Sequence, residues 1–190
     1  PMRDVHRELG AWMRAAGMDV RVDAVGNIVG RLRGSNTDGR VVVMGSHLDT
    51  VPNAGRYDGI LGVLAGLAVA EQFKPGALPF HLDVVGFSEE EGVRFRTPYI
   101  GSYATAGLFD ASLLQLVDAS GTTLAQAIEA WGGDLAAIPD AAYRDTDVIA
   151  FLELHIEQGP VLEQARVPLG IVTSIIGQQR ALVSFVGNAA

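Results

Sequence analysis

Val41-Val42-Val43-Met44-Gly45-Ser46-His47-Leu48-Asp49-Thr50 sets four consecutive apolar residues ahead of a histidine and an aspartate. An unbroken apolar run of this kind predicts a strand buried on both faces, as in the parallel part of an α/β sheet. Open α/β sheets gather their chemistry at the carboxyl ends of the strands. His47 and Asp49 stand at such an end. Two residues apart on an extended segment, they project to the same side.

The same arrangement recurs outward from this stretch. Residues 79–87 predict the next strand and run into Ser88-Glu89-Glu90-Glu91-Gly92. Residues 148–154 predict another and run into His155-Ile156-Glu157-Gln158-Gly159. Between the first two, Tyr57-Asp58-Gly59 opens a helix rich in small residues, expected over 58–73. Upstream, Val5, Leu9, Trp12, Met13 and Ala16 recur at helical spacing, with Gly17 placed as a C-cap. Residues 19–23 and 27–33 predict paired strands around the turn residues Gly26-Asn27. Helices are expected over 99–107 and 124–131, and one or two helical turns over 160–164. Residues 171–176 and 180–186 alternate like strands. The fold class is α/β, a mixed and mostly parallel sheet flanked by helices. The last strand-like run closes nothing obvious before Gly187-Asn188-Ala189-Ala190, as expected of a chain cut in mid-fold.

Composition narrows the function classes. The 190 residues suffice for one domain with a sizeable core, and 48% hydrophobic content with 23 glycines fits a compact globular protein. A net charge of −8 argues against nucleic acid or an anionic membrane as the main partner. With no cysteine, neither disulfides nor thiolate metal sites can form. The start, Pro1-Met2-Arg3-Asp4, has no apolar signal core, and the apolar run from Ile60 to Ala70 is too short to span a bilayer. A soluble, cytoplasmic protein is the expectation.

Each candidate group has a plain alternative. His47 reads as a metal ligand with Asp49 behind it, since a ligating imidazole usually donates its other N–H to a carboxylate. It also reads as a hydrogen-bonded structural histidine. Asp58 reads as a helix N-cap, or as a carboxylate bridging two ions about 3.5–4 Å apart. Glu89, Glu90 and Glu91 read as a solvated face. Alternatively, one is neutralised by a metal and its neighbour, with a raised pKa, shuttles a proton. His155 repeats the strand-end placement, whereas His6 and His81 read as structural or exposed. Order, residue types and shared placement favour a metal site.

Together, Gly-Ser-His-x-Asp-Thr-Val, Tyr-Asp-Gly, Ser-Glu-Glu-Glu-Gly-x-Arg-Phe and Glu-Leu-His-Ile-Glu-Gln-Gly-Pro resemble the amidase, hydantoinase/carbamoylase family. That family is a branch of the dinuclear metallohydrolases related to aminoacylases and carboxypeptidases. The resemblance implies His47, Asp58, Glu91 and His155 as ligands of two divalent ions, zinc or manganese, with Asp58 bridging. It implies Glu90 as general base, Asp49 as the residue that orients His47, and Arg180 and Gln158 as substrate contacts. The implied fold is a zinc-exopeptidase-like catalytic domain with an inserted lid and dimerisation domain. Residues 1–174 would be the N-terminal part of the former and 175–190 the start of the latter. The implied reaction is hydrolysis of a ureido or carbamoyl C–N bond in a small carboxylate-bearing substrate, allantoate or an N-carbamoyl amino acid, by a homodimer. Two alternatives are an aminoacylase or dipeptidase of the wider group, and an inactive metal-binding fragment that lacks the family's fifth ligand.

Overall fold

The structure, a computed structural model, describes residues 2–36, 38–175, 177, 181 and 183–187. It divides into two compact units, Pro1–Ile156 and Glu157–Ala190. The expected boundary at 174/175 falls inside the second.

The first unit runs α1 (Met2–Ala15), β1 (Asp19–Val22), β2 (Ile28–Leu32), β3 (Val41–His47), α2 (Ile60–Ala70), β4 (His81–Phe87), α3 (Ile100–Thr105), α4 (Leu124–Trp131) and β5 (Val148–Leu152). Two 3-10 turns, Ala111–Gln115 and Leu135–Ala141, flank α4 on either side. The five strands form one sheet in the order β1-β2-β4-β3-β5. β1, β2 and β4 pair antiparallel, while β4, β3 and β5 are parallel. The sheet is mixed as expected, with its parallel character confined to the half that carries the strand ends of interest.

β3 lies inside the sheet, between β4 and β5, and its apolar run packs on both faces. Val42 and Met44 pack toward the layer of α1 and α2, with Leu67, Leu82 and Val84. Val41 and Val43 pack on the opposite face with Val29, Val85 and Phe87. α1 buries His6, Leu9, Gly10 and Met13, one stripe at helical spacing. Trp12, expected in that stripe, is half exposed. On the other face, Asp83 is fully buried within β4. It accepts two hydrogen bonds from its cross-strand partner Arg31 (2.7 and 2.8 Å) and one from the Tyr143 hydroxyl (2.5 Å). A buried carboxylate requires such pairing. A third cluster, built on Phe95, Ile100, Ala104 and Ile128, joins α3 and α4 beside the sheet.

The second unit holds α5 (Val161–Ala165), whose first backbone N–H groups, at Val161 and Leu162, donate to the Glu157 carboxylate. The strands expected over 171–176 and 180–186 are not formed among the described residues. Residues 171–175, 181 and 183–186 carry no regular structure, and Ile171, Ile175, Phe185 and Val186 are almost fully exposed. Alternation alone cannot make a strand, because the backbone needs a ladder partner. No helix among the described residues is long and apolar enough to cross a membrane.

Candidate metal centre

Parallel pairing brings three strand ends to one edge. His47, the last residue of β3, lies opposite Phe87, the last of β4, so the acidic turn emerges beside it. The β3–β5 ladder ends at Met44 and Leu152. Beyond it the Ser46 hydroxyl donates to the Glu153 carboxylate (2.6 Å), holding the two segments together just before His47 and His155.

Asp58 comes from the entry to α2. It is not the N-cap. Gly59 holds that position at φ 75° with no side-chain cap, so the capping alternative falls. A Cβ at residue 59 would fall on the His47 ring, and one at Gly62 on the Leu154 carbonyl and Ser46. These glycines let the start of α2, and with it Asp58, close on the strand ends.

Four donor atoms then converge. His47 Nε2 lies 3.2 Å from His155 Nε2 and 3.7 Å from Asp58 Oδ1, which is 3.3 Å from His155 Nε2. His47 Nε2 is also 3.9 Å from Glu90 Oε2. Ligand atoms of His47, Asp58 and His155 form one group compatible with a metal ion, and those of His47, Glu90 and Glu91 form a second. His47 belongs to both. Asp58 is in the first only.

Hydrogen bonding orients both rings. His47 Nδ1 lies 2.6 Å from the Asp49 carbonyl oxygen, and His155 Nδ1 lies 2.9 Å from that of Ile156. A carbonyl oxygen can only accept, so each Nδ1 carries a proton and each Nε2 is turned toward the other ring. Two Nε2 atoms 3.2 Å apart beside a carboxylate oxygen are a place for a shared cation, a proton or a metal ion. Nitrogen ligands about 2.0–2.1 Å from a tetrahedral zinc stand about 3.3 Å apart. The donor set therefore fits a divalent ion.

Asp49 acts differently from the expectation. It orients His47 through its backbone carbonyl and not its carboxylate. The carboxylate accepts from the backbone N–H groups of Glu90 and Glu91, both at 3.0 Å. On the other side of the turn, the carbonyls of Ser88, Glu89 and Glu90 accept from the N–H groups of Gly101, Ile100 and Tyr99 at the start of α3. The acidic triplet is thus gripped by its backbone, leaving the side chains free. Burial raises the Glu90 pKa above the ordinary carboxylate range, with Glu91, Asp49 and Glu153 adding to the rise and His47 opposing it. Burial likewise raises that of Glu89, with Asp49 adding.

A cavity of about 510 Å³ adjoins the site, lined by His47, Glu90 and Glu153 together with Tyr99, Tyr143 and Phe151. Of the remaining expected residues, Gln158 falls in the second unit, and Arg180 lies outside the described residues. Sequence reasoning missed Ser46, Glu153 and Asn27, the last fully buried against Ser88. Asn27 stands in a Gly-Asn pair that read only as a turn.

Residues 43–186 match the model of peptidase family M20/M25/M40. The chain is 47% identical over 171 residues to an N-carbamoyl-L-amino acid amidohydrolase of Geobacillus stearothermophilus, covering 89% of this chain and 42% of that protein. It is 45% identical over 179 residues to an allantoate amidohydrolase of Bacillus subtilis, covering 93% and 43%. A hydantoinase/carbamoylase family amidase from Burkholderia ambifaria superposes with a TM-score of 0.74 at 39% identity, over 86% of this chain and 40% of its own. AtUAH in complex with (S)-hydroxyglycine superposes with a TM-score of 0.75 at 33% identity, over 86% and 40%. The chain spans about two fifths of the length of these relatives. The motif resemblance is borne out: the chain belongs to peptidase family M20/M25/M40, with hydantoinase/carbamoylase amidases among its structural neighbours.

Proposed function

We propose that the whole protein is a metal-dependent amidohydrolase that cleaves a ureido or carbamoyl C–N bond in a small carboxylate-bearing substrate, allantoate or an N-carbamoyl-L-amino acid. The observation that carries this reading is the convergence of His47, Asp58 and His155 ligand atoms beside the raised-pKa carboxylate of Glu90. The names of the relatives supply the substrate class. In this reading His47, Asp58, Glu91 and His155 would hold two divalent ions, zinc or manganese. Imidazole and carboxylate suit either metal. When bound, the ions activate water and polarise the scissile carbonyl. Glu90 takes the proton of the attacking water and returns it to the leaving nitrogen. Asp49 keeps both the His47 ring and the acidic turn in place. Residues 175–190 would begin a lid and dimerisation domain, with Gln158 and Arg180 on the substrate side.

The test is ammonia release by the full-length protein, supplied with zinc or manganese, from allantoate and from several N-carbamoyl-L-amino acids. Turnover of one class is the expected result. Cleavage of N-acyl amino acids or dipeptides without any ureido hydrolysis would replace this reading with the aminoacylase one.

A further inference from the structure

The acidic turn adopts a conformation it would not hold unaided. Glu89 has φ 50° and Tyr99, opposite it, φ 66°, both in the left-handed region that side chains other than glycine disfavour. Three adjacent carboxylates add mutual repulsion. Asp49 secures the far end of the turn at Glu90 and Glu91. The near end depends on Asn27.

The Asn27 side chain is fully buried and uses both ends of its amide. Its Oδ1 accepts from the Ser88 backbone N–H at 2.9 Å and from the Ser88 hydroxyl at 3.3 Å. Its Nδ2 donates to Asp23 Oδ2 at 2.7 Å, to the Gly101 carbonyl at 2.9 Å and to Thr105 Oγ1 at 3.2 Å. One amide therefore ties the start of β2, the first residue of the acidic turn and the helix α3 whose first N–H groups donate to the turn's carbonyls. Gly101 leaves the room: a Cβ there would fall on Asn27 Oδ1 and the Ser88 carbonyl. With Asn27 and Asp49 in place, the N–H groups of Ser88, Glu90 and Glu91 all end on side-chain oxygens from outside the turn.

We propose that Asn27 is a positioning residue that presets the Ser88–Glu91 backbone, so that Glu90 and Glu91 face His47 before any metal binds. This rests on the reading of Glu90 as base and Glu91 as ligand. It assigns the fixed geometry of the turn to a polar clamp in the protein and not to the ion.

Two measurements on the full-length protein test it. In wild-type protein stripped of metal by a chelator, the amides of Ser88, Glu90 and Glu91 should exchange with deuterium at least about 100-fold more slowly than unstructured amides. Asn27→Ala should abolish that protection and weaken zinc affinity about tenfold, read by competition with a chromophoric chelator. It should also lower kcat with KM little changed. Rapid exchange of these amides in metal-free wild type would overturn the proposal. So would a folded Asn27→Ala with wild-type zinc affinity, even if its melting temperature were lower. Should the variant fail to fold, the wild-type exchange decides. Neither exchange nor zinc competition needs a substrate, so absence of ureido hydrolysis would sink the proposed reaction and leave this test intact.

Discussion

His47 and His155 turn their Nε2 atoms to each other across 3.2 Å, each ring oriented by a backbone carbonyl that accepts from its other nitrogen. Nitrogens this close call for a shared cation, and Asp58 Oδ1 beside both makes a metal ion a fitting one. His155→Ala in the full-length protein should lose at least one equivalent of zinc or manganese, with affinity at that position down more than about 100-fold. Elemental analysis after dialysis reads the change. Full occupancy in that variant would remove His155 from the ligand set.

Asp49 is a sharper probe of the acidic turn. Asp49→Asn exchanges one of two accepting oxygens for an N–H₂, which meets the Glu90 or Glu91 N–H head-on. Hydrogen bonds to a carboxylate contribute roughly 1.5–3 kcal/mol each, and an unpaired donor adds its own cost. The variant should unfold about 2 kcal/mol more easily in urea and bind metal about tenfold more weakly. The His47 tautomer should survive, because the main-chain carbonyl is untouched. NMR of the imidazole nitrogens checks this.

Glu90→Gln keeps the shape of the side chain and discards its basicity. Metal content should stay within error of wild type, while kcat on a turned-over ureido substrate falls by about 10²–10⁴. Equal turnover would transfer the base role to another group.

His6 makes stability depend on pH. It is buried edge-on to Trp131 at 5.1 Å, and its Nδ1 has no hydrogen-bond partner among the described residues. Burial lowers its folded-state pKa below the ordinary 6.5. Below about 6.5 the unfolded chain therefore binds more protons than the folded one, and stability drops as pH falls through that value toward the lowered one. Urea midpoints at pH 7.5 and 5.5 should differ in that direction. His6→Phe should flatten the difference.

Much of this was written in the local sequence. Apolar-rich stretches over 41–44, 79–87 and 148–154 announced buried strands, and residues soon after each supplied His47, Glu90, Glu91 and His155. Strand ends are legible because burial and charge change sign at one place in the chain. Asp58 was ambiguous because an N-cap and a site carboxylate look alike; only the φ of Gly59 and the gap to His155 separate them. Asn27 was illegible because, Asp23 apart, its side-chain partners lie 61 to 78 residues away. Among the described residues of 171–176 and 180–186 the alternation misled for the opposite reason, because a strand pattern says nothing about whether a neighbour pairs with it. Trp12 carried apolar character without burial, a reminder that a helical stripe fixes an angle only loosely.

The side-by-side parallel run of β4, β3 and β5 has a consequence for what mutation can reach. Their connections hold buried pieces, Asp58 and the core side of α2 among them, but also exposed loops at 51–53 and 71–77 whose length can vary. Inside the strands the tolerance vanishes: deleting one residue from β3 between Val42 and Ser46 would turn His47 to the opposite side of the sheet. Variation that preserves the pocket is thus expected to come in loops, while frameshift-like events within a strand eliminate it in a single step.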